Sequence, residues 1–168
     1  MTKVIPTPLS AEAFAPFGDV IETNSAKEKR DINEGNTVRY HDLAELTLTT
    51  HNGKPLINIF RTTPLSMPIK LKMMERHPLS SQAFIPLSRM PYLVVVAPAG
   101  DFDESGIRVF LATGTQGVNY HPGTWHHYSL ALQGVSDFLV IDRGDEDPSD
   151  DADNCDEVEL SESIEIEL

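Results

Sequence analysis

Apolar and polar residues alternate in short runs along most of this chain, and few stretches show the three-to-four-residue spacing of a helix. From Pro55 onward the runs LINIF, IKLKM, AFIPL, YLVVVA, IRVFLA, HYSLAL and DFLVI read as strands. Pro64, Pro68, Pro78, Pro91, the PAGD at 98–101, Gly114, Gly117, the HPG at 121–123 and Gly134 punctuate them. Many short strands at close spacing predict a mainly β protein, either a sandwich or a small barrel. One short helix is predicted over Ala11–Ala15, capped by Ser10, with Glu12 in its first turn and Pro16 and Gly18 beyond its end. Residues 25–36 are charged, polar and glycine-containing, and read as a loop or lid.

The alternation also aims particular side chains. Ile69, Leu71, Met73, Glu75 and His77 are successive odd positions, and in a strand such positions share a face. An apolar face therefore ends in a carboxylate and an imidazole that look inward. Taking HHYSLAL as a strand, His126 shares a face with Tyr128, Leu130 and Leu132, so the leucines carry it toward the core. His127 then faces outward, to the surface or an interface. Burying an unpaired charge costs several kcal/mol, so a glutamate and two imidazoles converging in one barrel point to a site rather than to packing. His121 is a further acid–base candidate, and Arg39 and Arg61 are candidate anchors for an anionic substrate. Tyr120 and Trp125 are candidate walls that exclude water. His41 and His51 lie in polar stretches and carry no predicted chemistry.

Charge changes this picture little. The formal charge is −13, but from Asp142 onward 13 acidic residues face one basic residue, Arg143, so the rest of the chain is nearly neutral. The expected organisation is one domain over residues 1–156 and an acidic tail over 157–168, whose like charges favour a solvated chain. Within that tail the alternation of Val158, Leu160, Ile164, Ile166 and Leu168 would also suit an edge strand. A near-neutral body offers no basic surface for nucleic acid. Cys155 is the only cysteine, which excludes an intramolecular disulfide and a cysteine-based zinc site, and its acidic neighbours disfavour a thiolate. No stretch approaches the ~18 apolar residues of a membrane span, and the N-terminus lacks a long apolar core, so a cytoplasmic protein with no membrane partner is expected.

ERHPLSSQAFIPL at 75–87, QGVNYHPGTWHH at 116–127 and DFLVIDRG at 137–144, with FGDVIE at 17–22 and RYHDL at 39–43, are similar to signature segments of the ureidoglycolate lyases. The resemblance spans most of residues 9–157. It implies a cupin-like β-barrel or jelly roll, ureidoglycolate as small-molecule substrate, glyoxylate and urea as products in allantoin degradation, a homodimer, and nickel(II) as cofactor. Set on the usual cupin ligand pattern, Glu75 falls at the first histidine, His77 at the second, Gln82 at the glutamate and His126 at the last histidine. Glu75, His77 and His126 become candidate metal ligands, while the neutral Gln82 implies a weaker, more open metal site. Glu75 or His77 is then the candidate base, and His126 or His121 the acid or ligand. Gln82 with Arg39 or Arg61 would orient the substrate. The alternatives are an amidohydrolase releasing ammonia, a metal-dependent oxygenase, and a barrel that binds a small carboxylate without turnover. The lyase is favoured because hydrolysing a ureido carbonyl needs an activated water and donors for an oxyanion.

Overall fold

The structure, a computed structural model, describes residues 2–145 and 154–168. With strands numbered in chain order, one sheet runs β1 (Thr2–Val4), β15 (Asp156–Ile166), β7 (Ile69–Arg76), β12 (Trp125–His126), β9 (Tyr92–Ala97), β10 (Arg108–Ala112) and β2 (Thr7–Pro8). β13 (Leu130–Ala131) pairs with β9 off that path. The second sheet runs β3 (Gly18–Ile21), β11 (Gly117–Tyr120), β8 (Gln82–Pro86), β14 (Ser136–Gly144) and β6 (Lys54–Thr62). The mainly β fold expected from the strand pattern is observed, in the cupin-like barrel form that the resemblance implies. Helix α1 (Ala11–Phe14) begins where Ser10 accepts a hydrogen bond from the Ala13 amide, and it buries Phe14. Among the described residues no helix is long and apolar enough to cross a membrane.

The sheets pack face to face. Tyr92, Val94, Val96 and Phe110 of the first meet Val20, Phe84, Val118, Tyr120, Phe138 and Val140 of the second, with Phe14 and Phe17 closing one side. Aromatic rings meet edge to face within this core, among them Tyr92 with Phe138 at 5.0 Å and Phe84 with Tyr120 at 5.8 Å. YLVVVA is apolar at every position because both faces of β9 are covered: Leu93, Val95 and Ala97 belong to a second cluster with Ile69, Leu71, Met74, Trp125, Leu130, Ile164 and Ile166.

Four expectations change. The C-terminal segment is not a solvated tail: β15 pairs with β7 on one side and β1 on the other, and Ile164 and Ile166 are buried. Its charges are tolerated because they alternate with apolar residues that pack on the opposite face of the strand, so the solvated-tail reading fails on pairing and the edge-strand reading on position. HYSLAL is not a continuous strand; only Trp125–His126 and Leu130–Ala131 pair. His127 is buried, its Nδ1 hydrogen-bonded to the Tyr128 carbonyl at 3.1 Å, rather than surface-facing. Residues 25–36 are not a loop throughout: β4 (Glu28–Ile32) and β5 (Thr37–His41) form an exposed antiparallel ribbon, sustained by backbone pairing because neither face is apolar enough to bury.

Candidate active site

The two faces of β7 are not used evenly. Ile69 and Leu71 enter the second cluster, yet so does Met74, one residue out of phase. The pairing of β15 along β7 shifts between Glu159 and Ile164, and this irregularity reverses the alternation. Glu75 consequently faces the space between the sheets, opposite to Ile69 and Leu71. The inward direction expected for Glu75 is correct, but for a different reason. His126 is the cross-strand partner of Glu75 and of Val96, and it points into the same space while Trp125 points the other way. His77 follows directly after β7, its ring 5.2 Å from that of His126. One donor atom from each of Glu75, His77 and His126 lies within 4.8 Å of the others.

Each imidazole has its Nδ1 against a main-chain carbonyl. His77 Nδ1 lies 2.8 Å from the main-chain oxygen of Asn154, and His126 Nδ1 lies 3.3 Å from that of His127. A carbonyl only accepts, so both Nδ1 atoms carry hydrogen, and in the neutral tautomer of either ring Nε2 holds the lone pair. Both Nε2 atoms are buried without a partner. The Tyr120 ring lies flat on His126, 4.3 Å between centroids and 1° from parallel, and seals it from water. Burial, with His77 nearby, pushes His126 down to about 3, so it is neutral at physiological pH. The 3.7 Å approach of its Nδ1 to Glu75 Oε1 is therefore a dipolar contact and not an ion pair. Burial raises Glu75, partly countered by His77 and reinforced by Glu157, its neighbour across β15. Burial and the carboxylate of Glu75 also raise Tyr120, which stays a phenol.

Gln82 and Tyr120 pair across β8 and β11 and face the trio from the second sheet. The remaining candidates lie elsewhere. His121 sits behind the second sheet, its Nε2 3.0 Å from Asp19 Oδ2, because it follows Tyr120 on the opposite parity. Trp125 faces the second cluster, donating to the Gly100 carbonyl at 3.0 Å and stacking on Arg76. Arg61, its side chain 71% exposed, is held by Asp137 in a two-pronged pair, about five residues or roughly 17 Å along β14 from the Gln82 end. Arg39 stands on the exposed ribbon opposite Arg30. The expected arginine anchors are thus absent from the cavity wall, and Glu75 and Glu157 leave that wall acidic.

Three residues of the site escape the motif reading. Asp142 and Asn58 face inward, with Asn58 Nδ2 donating to Asp142 Oδ1 at 2.9 Å and Gln82 Nε2 donating to Asp142 Oδ2 at 3.4 Å. The alternation Phe138, Val140, Asp142 and Leu56, Asn58, Phe60 carries both in the sequence. Asn154 has no such signal, since it precedes β15 within the acidic stretch. It accepts from the Leu79 amide and donates to Ser80, each at 2.8 Å, and so pins the loop that carries His77.

Comparison with known proteins decides what kind of barrel this is. A family model described as ureidoglycolate lyase matches residues 1–167. The chain belongs to the ureidoglycolate lyase family. It is 54% identical over 157 residues to the ureidoglycolate lyase of Burkholderia mallei (strain NCTC 10229), covering 94% of this chain and 89% of the relative. It is 50% identical over 164 residues to that of Pseudomonas syringae pv. syringae (strain B728a), covering 97% and 93%. The Burkholderia cepacia enzyme is 51% identical over 153 residues, covering 90% and 83%. Membership in this family extends through β15, the strand whose composition reads as a tail.

Proposed function

We propose that this chain cleaves ureidoglycolate to glyoxylate and urea, with Glu75, His77 and His126 as the reacting centre. The observation that carries this reading is the pair of buried, unpartnered Nε2 lone pairs beside a carboxyl whose affinity for protons is raised by burial. The substrate carbon bears a carboxylate, a hydroxyl and a ureido nitrogen. Glu75 takes the hydroxyl proton, the carbon–oxygen bond becomes a carbonyl as the carbon–nitrogen bond breaks, and the departing nitrogen receives the proton. No water is consumed and no electron is exchanged. His126, neutral, serves as a lone-pair donor and not as an imidazolium acid. Tyr120 excludes water on one side. Purified protein mixed with ureidoglycolate should release glyoxylate faster than the spontaneous reaction; binding without turnover would leave a small-carboxylate sensor.

The donor set fits a divalent transition ion such as nickel(II). Glu75, His77 and His126 would hold it, since one donor atom from each lies within 4.8 Å of the others, close to the ~4.2 Å that two donors ~2.1 Å from a shared ion span. Both histidines give their other nitrogen to a main-chain carbonyl, the usual support of a ligating imidazole. Such an ion, when bound, supplies the positive charge beside the substrate carboxylate that the acidic wall lacks.

The same reading makes the protein a homodimer. The outer face of β6, an edge strand, presents Ile57 at 76% and Ile59 at 56% exposure, continued by Leu139 and Ile141 of β14 in register. A second copy meeting this face in a two-fold contact would cover it. Replacing both residues, Ile57→Glu with Ile59→Glu, should convert a dimer to monomer in sedimentation; no change in mass would remove this face from consideration. We place the enzyme in the cytoplasm, where a single cysteine such as Cys155 stays reduced.

A further inference from the structure

Gln82 is 6% exposed, and its Oε1 is buried without a hydrogen-bond partner. The orientation of its amide is fixed by its neighbour. The Gln82 NH2 faces Asp142, donating to its Oδ2 at 3.4 Å as an ionised carboxylate requires, and Oε1 turns away. Asn58 holds the other oxygen of Asp142 at 2.9 Å, which keeps that carboxylate from rotating to release Gln82. Gln82 is paired across the sheet with Tyr120, whose ring lies on His126, so the unmet acceptor stands on the inward face of the second sheet, beside the trio.

A buried acceptor in this position calls for a donor from the ligand. We propose that Gln82, held by Asp142 and Asn58, recognises an N–H on the terminal ureido nitrogen of the substrate and makes the enzyme selective for a urea leaving group. The inference rests on the lyase reading above. Of the three polar parts of ureidoglycolate, the carboxylate carries no donor and the hydroxyl has one, directed to Glu75. The ureido group brings three N–H bonds, two of them on the terminal nitrogen. A hydrogen-bonding wall rejects a ligand that lacks its donor, because the wall's own polar atom is then left buried and unmet.

The test uses the full chain and two carbinolamides, ureidoglycolate and N-acetyl-2-hydroxyglycine, in which a methyl replaces the terminal NH2 while the breaking bond is unchanged. The unmodified enzyme should prefer ureidoglycolate by about 10- to 100-fold in kcat/KM, the effect of one unmet buried acceptor. Gln82→Met, similar in length but with no amide, should bring that preference close to one. Asp142→Asn, which lets the Gln82 amide turn over, should lower it in the same direction and carries the test if the methionine variant fails to melt cooperatively. An unmodified enzyme that turns over both compounds equally overturns the inference and leaves the lyase reading standing. So does an undiminished preference in Gln82→Met with both rates reduced together, which would make Gln82 a servant of the reacting trio. An enzyme that cleaves neither compound overturns both readings.

Discussion

Deleting residues 157–168 is expected to unfold the protein, although their composition reads as a solvated tail. The deletion removes nearly all of β15, which lies between β1 and β7 and pairs with both. It takes Ile164 and Ile166 out of the second core cluster, where burying each such side chain contributes about 1.5–3 kcal/mol. It also bares the edge of β7, the strand that carries Glu75. Against a total stability of about 5–15 kcal/mol for a domain, these losses leave little margin. The shortened chain should show no cooperative thermal transition and no turnover. Ile166→Asp, one charge in the same cluster, should act in the same direction with a smaller loss. A shortened protein that melts cooperatively and keeps its activity would mean that β15 is decoration.

The second large effect is on chemistry. His126→Leu should lower turnover at least ~100-fold, the lower end of what a positioned proton-transfer group or its support contributes. Nickel(II) added to stripped protein should bind one ion per chain in the unmodified enzyme and none in this variant. Stability should change little. Leucine nearly matches the ring's volume, and the substitution removes a buried nitrogen that has no partner, which offsets the lost contact with the His127 carbonyl. His121→Leu is the control, since that ring lies behind the second sheet against Asp19 and should alter turnover only a few-fold. Equal losses in the two variants, both folded, would place the reacting centre elsewhere.

Much of the fold is legible in the sequence, because short apolar runs bounded by proline and glycine leave few alternatives to a small β-barrel. The site is legible in part, and for a mixed reason. Strict alternation sends Glu75 to the face of Leu71, yet the structure sends it to the opposite one through an irregularity beside β15 that no local pattern announces. Since both faces of this sheet are buried, Glu75 is inward on either reading. The same two-sided burial explains His127, which alternation alone turns outward. The arginines illustrate a different limit: a side chain's charge suits an anionic ligand wherever it stands, and only tertiary structure reveals that Arg61 is occupied by Asp137 on the outer surface. β15 was hidden by composition, because alternating glutamates give net charge more weight than the isoleucines between them.

The central claim is that the barrel breaks a carbon–nitrogen bond by moving one proton, with the ureido group departing intact. The most direct test measures glyoxylate, urea and ammonia from one reaction with urease absent. One urea per glyoxylate, with no stoichiometric ammonia, is the predicted result. About two ammonia per glyoxylate with little urea would show that the ureido carbonyl is hydrolysed instead, and would contradict the assignment of Glu75, His77 and His126 to a lyase.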